Sequence, residues 1–246
     1  VITISHLGYI KRTPLADFRQ QGRGGVGAKA SAARDEDFIE YVHQANMHST
    51  MMFFTEQGRL YWIKVYDIPE GNRQSKGRAL QNMINIQKGD KVCAFIHVKN
   101  LNDQEYVNNH YLIFATKNGL MKKTTLESYS RPRANGIIAL GLREDDRLIR
   151  VTLTDGKSQM LVASYNGKVV RFPEDTVRPM GRTASGVRAI KLDEDGKDCV
   201  VGMICVEEGS KDTVLVISEK GYGKRTLLDD ENGEPIYRIT NRGGKG

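Results

Sequence analysis

The chain has 246 residues, with 37 Lys and Arg against 30 Asp and Glu for a formal charge of +7, and its 39% hydrophobic content is that of an ordinary globular protein. It contains no run of about 18 apolar residues that could cross a membrane as a helix, and Val1-Ile2-Thr3-Ile4-Ser5-His6 alternates like a strand instead of reading as a signal peptide. Cys93, Cys199 and Cys205 sit in apolar strand-like runs at spacings that suit neither a disulfide framework nor a metal site, so they read as reduced core thiols of a cytosolic protein.

The first element in chain order is Leu7-Gly8-Tyr9-Ile10-Lys11-Arg12-Thr13-Pro14-Leu15, a glycine turn followed by a basic, apolar strand. It is followed by Gln21-Gly22-Arg23-Gly24-Gly25-Val26-Gly27, in which four of seven residues are glycine. Glycine lets another molecule approach the backbone closely. An arginine on such a loop can present its fork of donors to a phosphate while neighbouring N–H groups help to cradle it. A short helix is expected from Glu36 to Gln44.

Both features recur. Gly58-Arg59-Leu60-Tyr61-Trp62, Gly119-Leu120-Met121-Lys122-Lys123, Gly167-Lys168-Val169-Val170-Arg171 and Gly221-Tyr222-Gly223-Lys224-Arg225 each follow an apolar run, such as Met51-Met52-Phe53-Phe54, and predict β-hairpins. Segments of the form Arg-x-x-x-Gly follow at Arg23–Gly27, Arg73–Gly77, Arg182–Gly186 and Arg242–Gly246. The third repeat departs from the form, with Arg131 and Arg133 flanking the expected place before Gly136. The glycine-to-glycine offsets are 19, 19, 17, 19 and 25 residues. Two more strand-like runs follow most closing glycines, as in Ala79 to Ile86 and Val92 to Val98.

The spacing therefore predicts an all-β chain forming one domain over residues 1–246, with repeats starting near 1, 50, 110, 159 and 213 and the last incomplete. About four short strands per repeat make a β-pinwheel or propeller-like ring of blades. Because first and last blades must pair or leave edges exposed, a five-repeat chain is expected to be either an open ring or a truncated one, and truncation is favoured. The acidic clusters Asp35-Glu36-Asp37, Glu144-Asp145-Asp146, Asp193-Glu194-Asp195 and Asp229-Asp230-Glu231 would, if gathered on one edge, leave a denser basic surface elsewhere.

A rim that returns basic side chains at regular intervals suits a long polyanion, each phosphate neutralised adding a counterion-release term. The hairpin candidates are Lys11, Arg12, Arg59, Lys64, Lys122, Lys123, Lys168, Arg171, Lys224 and Arg225, and those from the loops are Arg23, Arg73, Lys76, Arg78, Arg131, Arg133, Arg182 and Arg242. No stretch reads as a recognition helix, so backbone contacts without base reading are expected. A propeller that binds a protein partner is the competing reading. The aromatic runs read as core between blades before they read as a base-stacking platform. No catalytic constellation, metal-ligand cluster or P-loop is present.

The glycine-rich box, the recurring hairpin-then-Arg-x-x-x-Gly unit and Gly221-Tyr222-Gly223-Lys224-Arg225-Thr226 resemble the C-terminal domain of the DNA gyrase A subunit over essentially the whole chain. That family's box reads Gln-Arg-Arg-Gly-Gly-Lys-Gly. Gln21, Arg23, Gly24, Gly25 and Gly27 match, whereas Gly22 and Val26 replace basic residues. The equivalent topoisomerase IV domain is similar without an intact box, and remains the nearest alternative. The resemblance implies a six-bladed pinwheel that wraps duplex DNA around its rim, with the box joining the ends of the path. The crossing so produced would let gyrase, an ATP-dependent type II topoisomerase, introduce negative supercoils. It also implies a non-catalytic domain without cofactor or metal. Its partners would be double-stranded DNA and the remainder of the gyrase heterotetramer, made of the other gyrase A domains with the gyrase B subunit, in the bacterial cytoplasm at the nucleoid.

Overall fold

A computed structural model of the chain describes residues 1–18, 37–194 and 196–246. The first repeat supplies β1 (Ile2–Ser5), β2 (Tyr9–Arg12) and β3 (Ile39–His43), and the second β4 (Thr50–Thr55), β5 (Arg59–Lys64), β6 (Arg78–Ala79) and β7 (Val92–Val98). After a short helix, α1 (Gln104–Asn109), the third gives β8 (Tyr111–Thr116), β9 (Leu120–Thr125), β10 (Ile137–Ile138) and β11 (Leu148–Thr154). The fourth gives β12 (Ser158–Ser164), β13 (Val169–Pro173), β14 (Val187–Arg188) and β15 (Val200–Glu207), and the fifth β16 (Thr213–Ile217) and β17 (Gly223–Leu227). The expected hairpins all form, each closing on a turn glycine with φ between 77° and 86°.

An aspartate near the start of each inner strand holds the hairpin turn of its own blade. One carboxylate oxygen of Asp37 accepts from Leu7 N, of Asp90 from Gln57 N, of Asp146 from Asn118 N and of Asp198 from Asn166 N, at 2.9–3.1 Å. Two acidic clusters of the sequence are thus explained in part as turn clamps, all at the hairpin-turn end of the blades.

The blades exchange strands. Sheet orders are β3-β1-β2-β6, β10-β5-β4-β7, β11-β8-β9-β14, β13-β12-β15 and β16-β17. The first run after a closing glycine does not stay in its own repeat. It shrinks to two residues and pairs with the second hairpin strand of the preceding blade, as in Tyr9↔Ala79, Leu60↔Ile137 and Met121↔Val187. The closing glycine makes this possible. Gly77, Gly136, Gly186 and Gly246 have φ of 83°, 67°, 97° and 84°. A Cβ on them would meet the carbonyl oxygens of Ile10, Leu60, Met121 and Val169 respectively. Both the left-handed backbone and the close approach require glycine.

The core lies between blades, so a strand sandwiched on both faces must be apolar at every position. Met51 and Phe53 pack towards the first blade with Ile2, Ile4 and Ile10, and Met52 and Phe54 towards the third with Leu112 and Phe114. Trp62 joins the second of these clusters and donates from Nε1 to the Tyr129 carbonyl at 3.1 Å. Strand β11 lies against both β7 and β15, and β3 reaches β7 through the Tyr41–Phe95 ring contact at 4.6 Å. Hence β6, β10 and β14 mark the outer edge.

The helix expected from Glu36 to Gln44 is not found among the described residues of that range, 37–44. Ile39–His43 is strand β3, paired with β1 from Ile2↔His43 to Ser5↔Ile39. Its alternation of half-buried and exposed residues fits an edge strand, and pairing with β1 overrides the local helical pattern. The first blade pairs only within itself and with β6, and β16 pairs only with β17, so no strand pairing among the described residues joins the first repeat to the fifth.

Candidate nucleic-acid interface

The glycine-rich box, Gln21 to Gly27, lies outside the described residues. The remaining candidate cations fall into three groups.

Four of the hairpin candidates are removed from the rim by burial. Lys11, Lys122, Lys123 and Arg171 are 1%, 1%, 4% and 4% exposed. A buried cation must find acceptors or lose its charge, and all of them find acceptors within the protein. Lys11 donates to the carbonyls of Asn72, Arg73 and Ser75 at 2.8, 3.2 and 2.9 Å, gripping the loop of the second repeat. Lys122 does the same one junction on, reaching the Arg182 and Ala139 carbonyls at 2.5 Å and the Tyr129 hydroxyl at 3.2 Å. Its ammonium also lies 4.7 Å from the Phe114 ring centre. Burial, with the Arg182 charge adding to it, pushes the Lys122 pKa down to about 7. Lys123 pairs at 2.8 Å with Glu174, which is itself fully buried. Arg171 holds Gln159 at 2.7 Å and Asp229 at 2.8 Å, and its Nη1 donates to the Tyr237 carbonyl at 3.1 Å, tying the fifth repeat to the fourth blade. Lys11, Lys122 and Arg171 fasten segments of the next repeat to the hairpins, Lys123 ties β9 to the next blade through Glu174, and none of the four is available to an external ligand.

A second group is half-buried and partly engaged. Arg12 donates to the Ile68 carbonyl at 2.8 Å and pairs with Glu70 at 2.5 Å. Arg59 reaches the Asn135 carbonyl at 3.0 Å, and Lys168 pairs with Asp193 at 2.5 Å. Arg182 donates to the Ile138 carbonyl at 2.8 Å, and Arg242 to that of Arg188 at 2.6 Å. Lys64 and Arg73 are half-buried as well.

The third group is exposed: Lys76, Arg78, Arg131, Arg133, Lys224 and Arg225. Segments of the third, fourth and fifth repeats are joined blade to blade. Gly141 N donates to the Ala184 carbonyl at 3.3 Å, Gly243 N to that of Ala189 at 2.7 Å and Lys191 N to that of Gly244 at 2.7 Å. Among the described residues, the loop segments of the third, fourth and fifth repeats are thus linked in series beside the outer strands. Arg131, Arg133 and Arg182 converge on one depression of about 160 Å³ among these segments. No group of three or more His, Cys, Asp or Glu that could hold a metal occurs among the described residues.

Over residues 1–46, 49–99, 110–155, 159–207 and 212–246 the chain matches the family described as DNA gyrase C-terminal domain, beta-propeller. It belongs to that family. The DNA gyrase A subunits of Staphylococcus epidermidis and Staphylococcus aureus are each 44% identical to it over 246 residues, covering 100% of this chain and 26% of those proteins. The chain thus spans about a quarter of the length of these curated relatives. Among solved structures, the C-terminal domain of DNA topoisomerase IV superposes with a TM-score of 0.77 at 26% identity, covering 100% of this chain and 70% of that one. The DNA gyrase A C-terminal domain gives 0.76 at 24% identity, covering 100% and 75%. Shape alone does not separate the two kinds of domain, whereas the 44% relatives are gyrase A proteins.

For this gyrase-family domain the exposed cations missing from the sequence candidates include Arg188 on β14 and Lys245 within the Arg242–Gly246 segment. The signal was present. Arg188 follows the closing Gly186 by two positions, much as Arg78 follows Gly77 by one. No helix among the described residues is long and apolar enough to cross a membrane.

Proposed function

We propose that this chain binds double-stranded DNA along the outer edge of its blades, through phosphates and without reading bases. The observation that carries the proposal is the recurrence, repeat after repeat, of cations on the loops and outer strands, Lys76, Arg78, Arg131, Arg133, Arg182, Arg188 and Arg242, with the loop segments of the third to fifth repeats linked in series. In family context, the chain acts as the DNA-wrapping part of a gyrase A protein, non-catalytic by itself. It works with the other domains of gyrase A, together with gyrase B, in the bacterial cytoplasm. Bending a 20–30 bp site by 40–90° costs on the order of 1–6 kcal/mol, and phosphate contacts repeated from blade to blade offset that cost. The box, Gln21 to Gly27, is proposed on sequence grounds as a further backbone contact, with Arg23 as its charge.

The deciding experiment seals nicked circular DNA in the presence of the chain and counts linking number. A protein-dependent shift of one sign is expected, and no shift at saturating protein overturns wrapping. A topoisomerase IV-type role remains a wrapping role on the same surface, and is distinguished by supercoiling assays in the assembled enzyme.

A further inference from the structure

Building on the DNA-binding reading, we propose that the depression lined by Glu127, Ser128, Arg131, Arg133, Ile137 and Arg182 is the principal phosphodiester anchor of the outer edge, and that Glu127 competes with the DNA phosphate for it.

The third repeat is where the pattern is broken, and the break sets two arginines on either side of a proline. It has two arginines where the others have one, and an offset of 17 residues where the other internal loops have 19. Pro132 lies between them. Proline fixes its own φ and drives the preceding residue towards extended backbone, so Arg131 and Arg133 are carried on a stiff segment. Gly136 N bonds back to the Arg133 carbonyl at 3.0 Å and closes the turn. Arg182 enters from the next repeat. Its Nη1 is tied to the Ile138 carbonyl at 2.8 Å, and its own carbonyl is held by Lys122 at 2.5 Å. One bond to a carbonyl leaves further donors of the guanidinium fork to face the depression. Three arginines lining a depression of about 160 Å³ match an anion with several acceptor oxygens.

Glu127 is the acidic residue of this lining. Its Oε1 lies 3.5 Å from Nη2 of Arg131, with that arginine 88% exposed. Such an exposed pair contributes little to stability. Its carboxylate, however, occupies donors that a phosphate would use and repels the phosphate charge. Removing it should therefore strengthen binding, an outcome that a damaged fold cannot mimic.

The test measures the affinity of the 246-residue chain for linear duplex over a range of salt. It compares the chain with Glu127→Gln, with the double variant Arg131→Ala/Arg133→Ala, and with Lys224→Ala/Arg225→Ala as an equal charge loss elsewhere. Glu127→Gln is expected to tighten binding about threefold. The double arginine variant should weaken it about tenfold or more and lower the salt slope by nearly two, at about 0.9 per phosphate. The Lys224/Arg225 variant should lose clearly less. Inorganic phosphate as competitor should erase most of the difference between the chain and its double arginine variant. Unchanged affinity on Glu127→Gln, or equal losses in the two double variants, overturns this inference and leaves DNA binding standing. If the unaltered chain does not bind duplex, the DNA-binding reading falls, and this inference falls with it.

Discussion

Lys122 shows how a single residue carries the architecture. Its ammonium bridges carbonyls from two successive repeats, Ala139 and Arg182, inside an aromatic wall. Lys122→Met keeps much of the volume but orphans the Arg182 carbonyl, whereas Ala139 still accepts from the Tyr129 hydroxyl at 2.8 Å. A buried acceptor left unpaired costs roughly 1–3 kcal/mol, and that loss is the expected result in urea unfolding. The pH dependence has a definite sign. The Lys122 pKa lies at about 7 in the folded protein against an ordinary 10.5. Between those values the unfolded chain binds more protons, so stability rises with pH across that window and the penalty is full below it. The Lys122→Met variant should lack this rise. Lys123 makes a sharper case. Replacing it with Met strands the Glu174 carboxylate, which keeps only Thr154 Oγ1 at 2.6 Å and Ser158 N at 3.3 Å. Breaking a buried pair in this way costs on the order of 3–5 kcal/mol.

At the scale of elements, the repeating unit is a hairpin clamped at its turn by an aspartate and at its edge by a loop from the next repeat. Gly186→Ala tests the edge. The substitution forces an L-residue to φ of 97° and pushes a methyl group onto the Met121 carbonyl. Left-handed backbone alone costs about 1–2 kcal/mol, so a loss of about 2 kcal/mol or more is expected from denaturant midpoints. Asp198 tests the turn. Burial raises its pKa, but the amides of Asp193 and Asn166 outweigh this and leave it below the ordinary 3.8. A carboxylate depressed in the folded state contributes stability above its unfolded pKa and loses it as pH falls. Asp198→Asn should therefore weaken the domain at neutral pH and flatten its acid unfolding below pH of about 4. The two devices differ in how far they are legible in the sequence. The hairpins are legible, because Gly58, Gly119 and Gly167 each follow a run of apolar strand residues. The exchange of strands is not, since β6, β10 and β14 are two residues long and carry no measurable period. The helix expected over Glu36–Gln44 fails for a related reason: a short amphipathic pattern does not say which neighbour will pair with it. Lys122 and Lys123 read as rim because adjacent lysines are seldom both buried. Only the sandwiching of β9 between blades, invisible in a local window, places one on each side in the interior.

At the scale of the whole molecule, the burial of four hairpin cations separates two roles that the charge count confounds. A net charge of +7 is spread over cations that fasten blades and cations that face solvent, and only the second set can release counterions from DNA. Stability and salt dependence should therefore respond to different substitutions. Arg78→Ala removes an exposed side chain of β6, so its unfolding midpoint should stay within about 0.5 kcal/mol of the unaltered protein. Its plot of log affinity for duplex against log salt should become shallower by about 0.9. Lys11→Met removes three bonds to loop carbonyls and should lower the midpoint markedly. Any change in its DNA affinity should vanish under conditions where the variant is fully folded, with the slope unaltered. The measurement is a salt titration of duplex binding paired with urea unfolding on the same preparations. A reduced slope for folded Lys11→Met would return the buried lysine to the interface. An unchanged slope for Arg78→Ala would take the outer strand out of it.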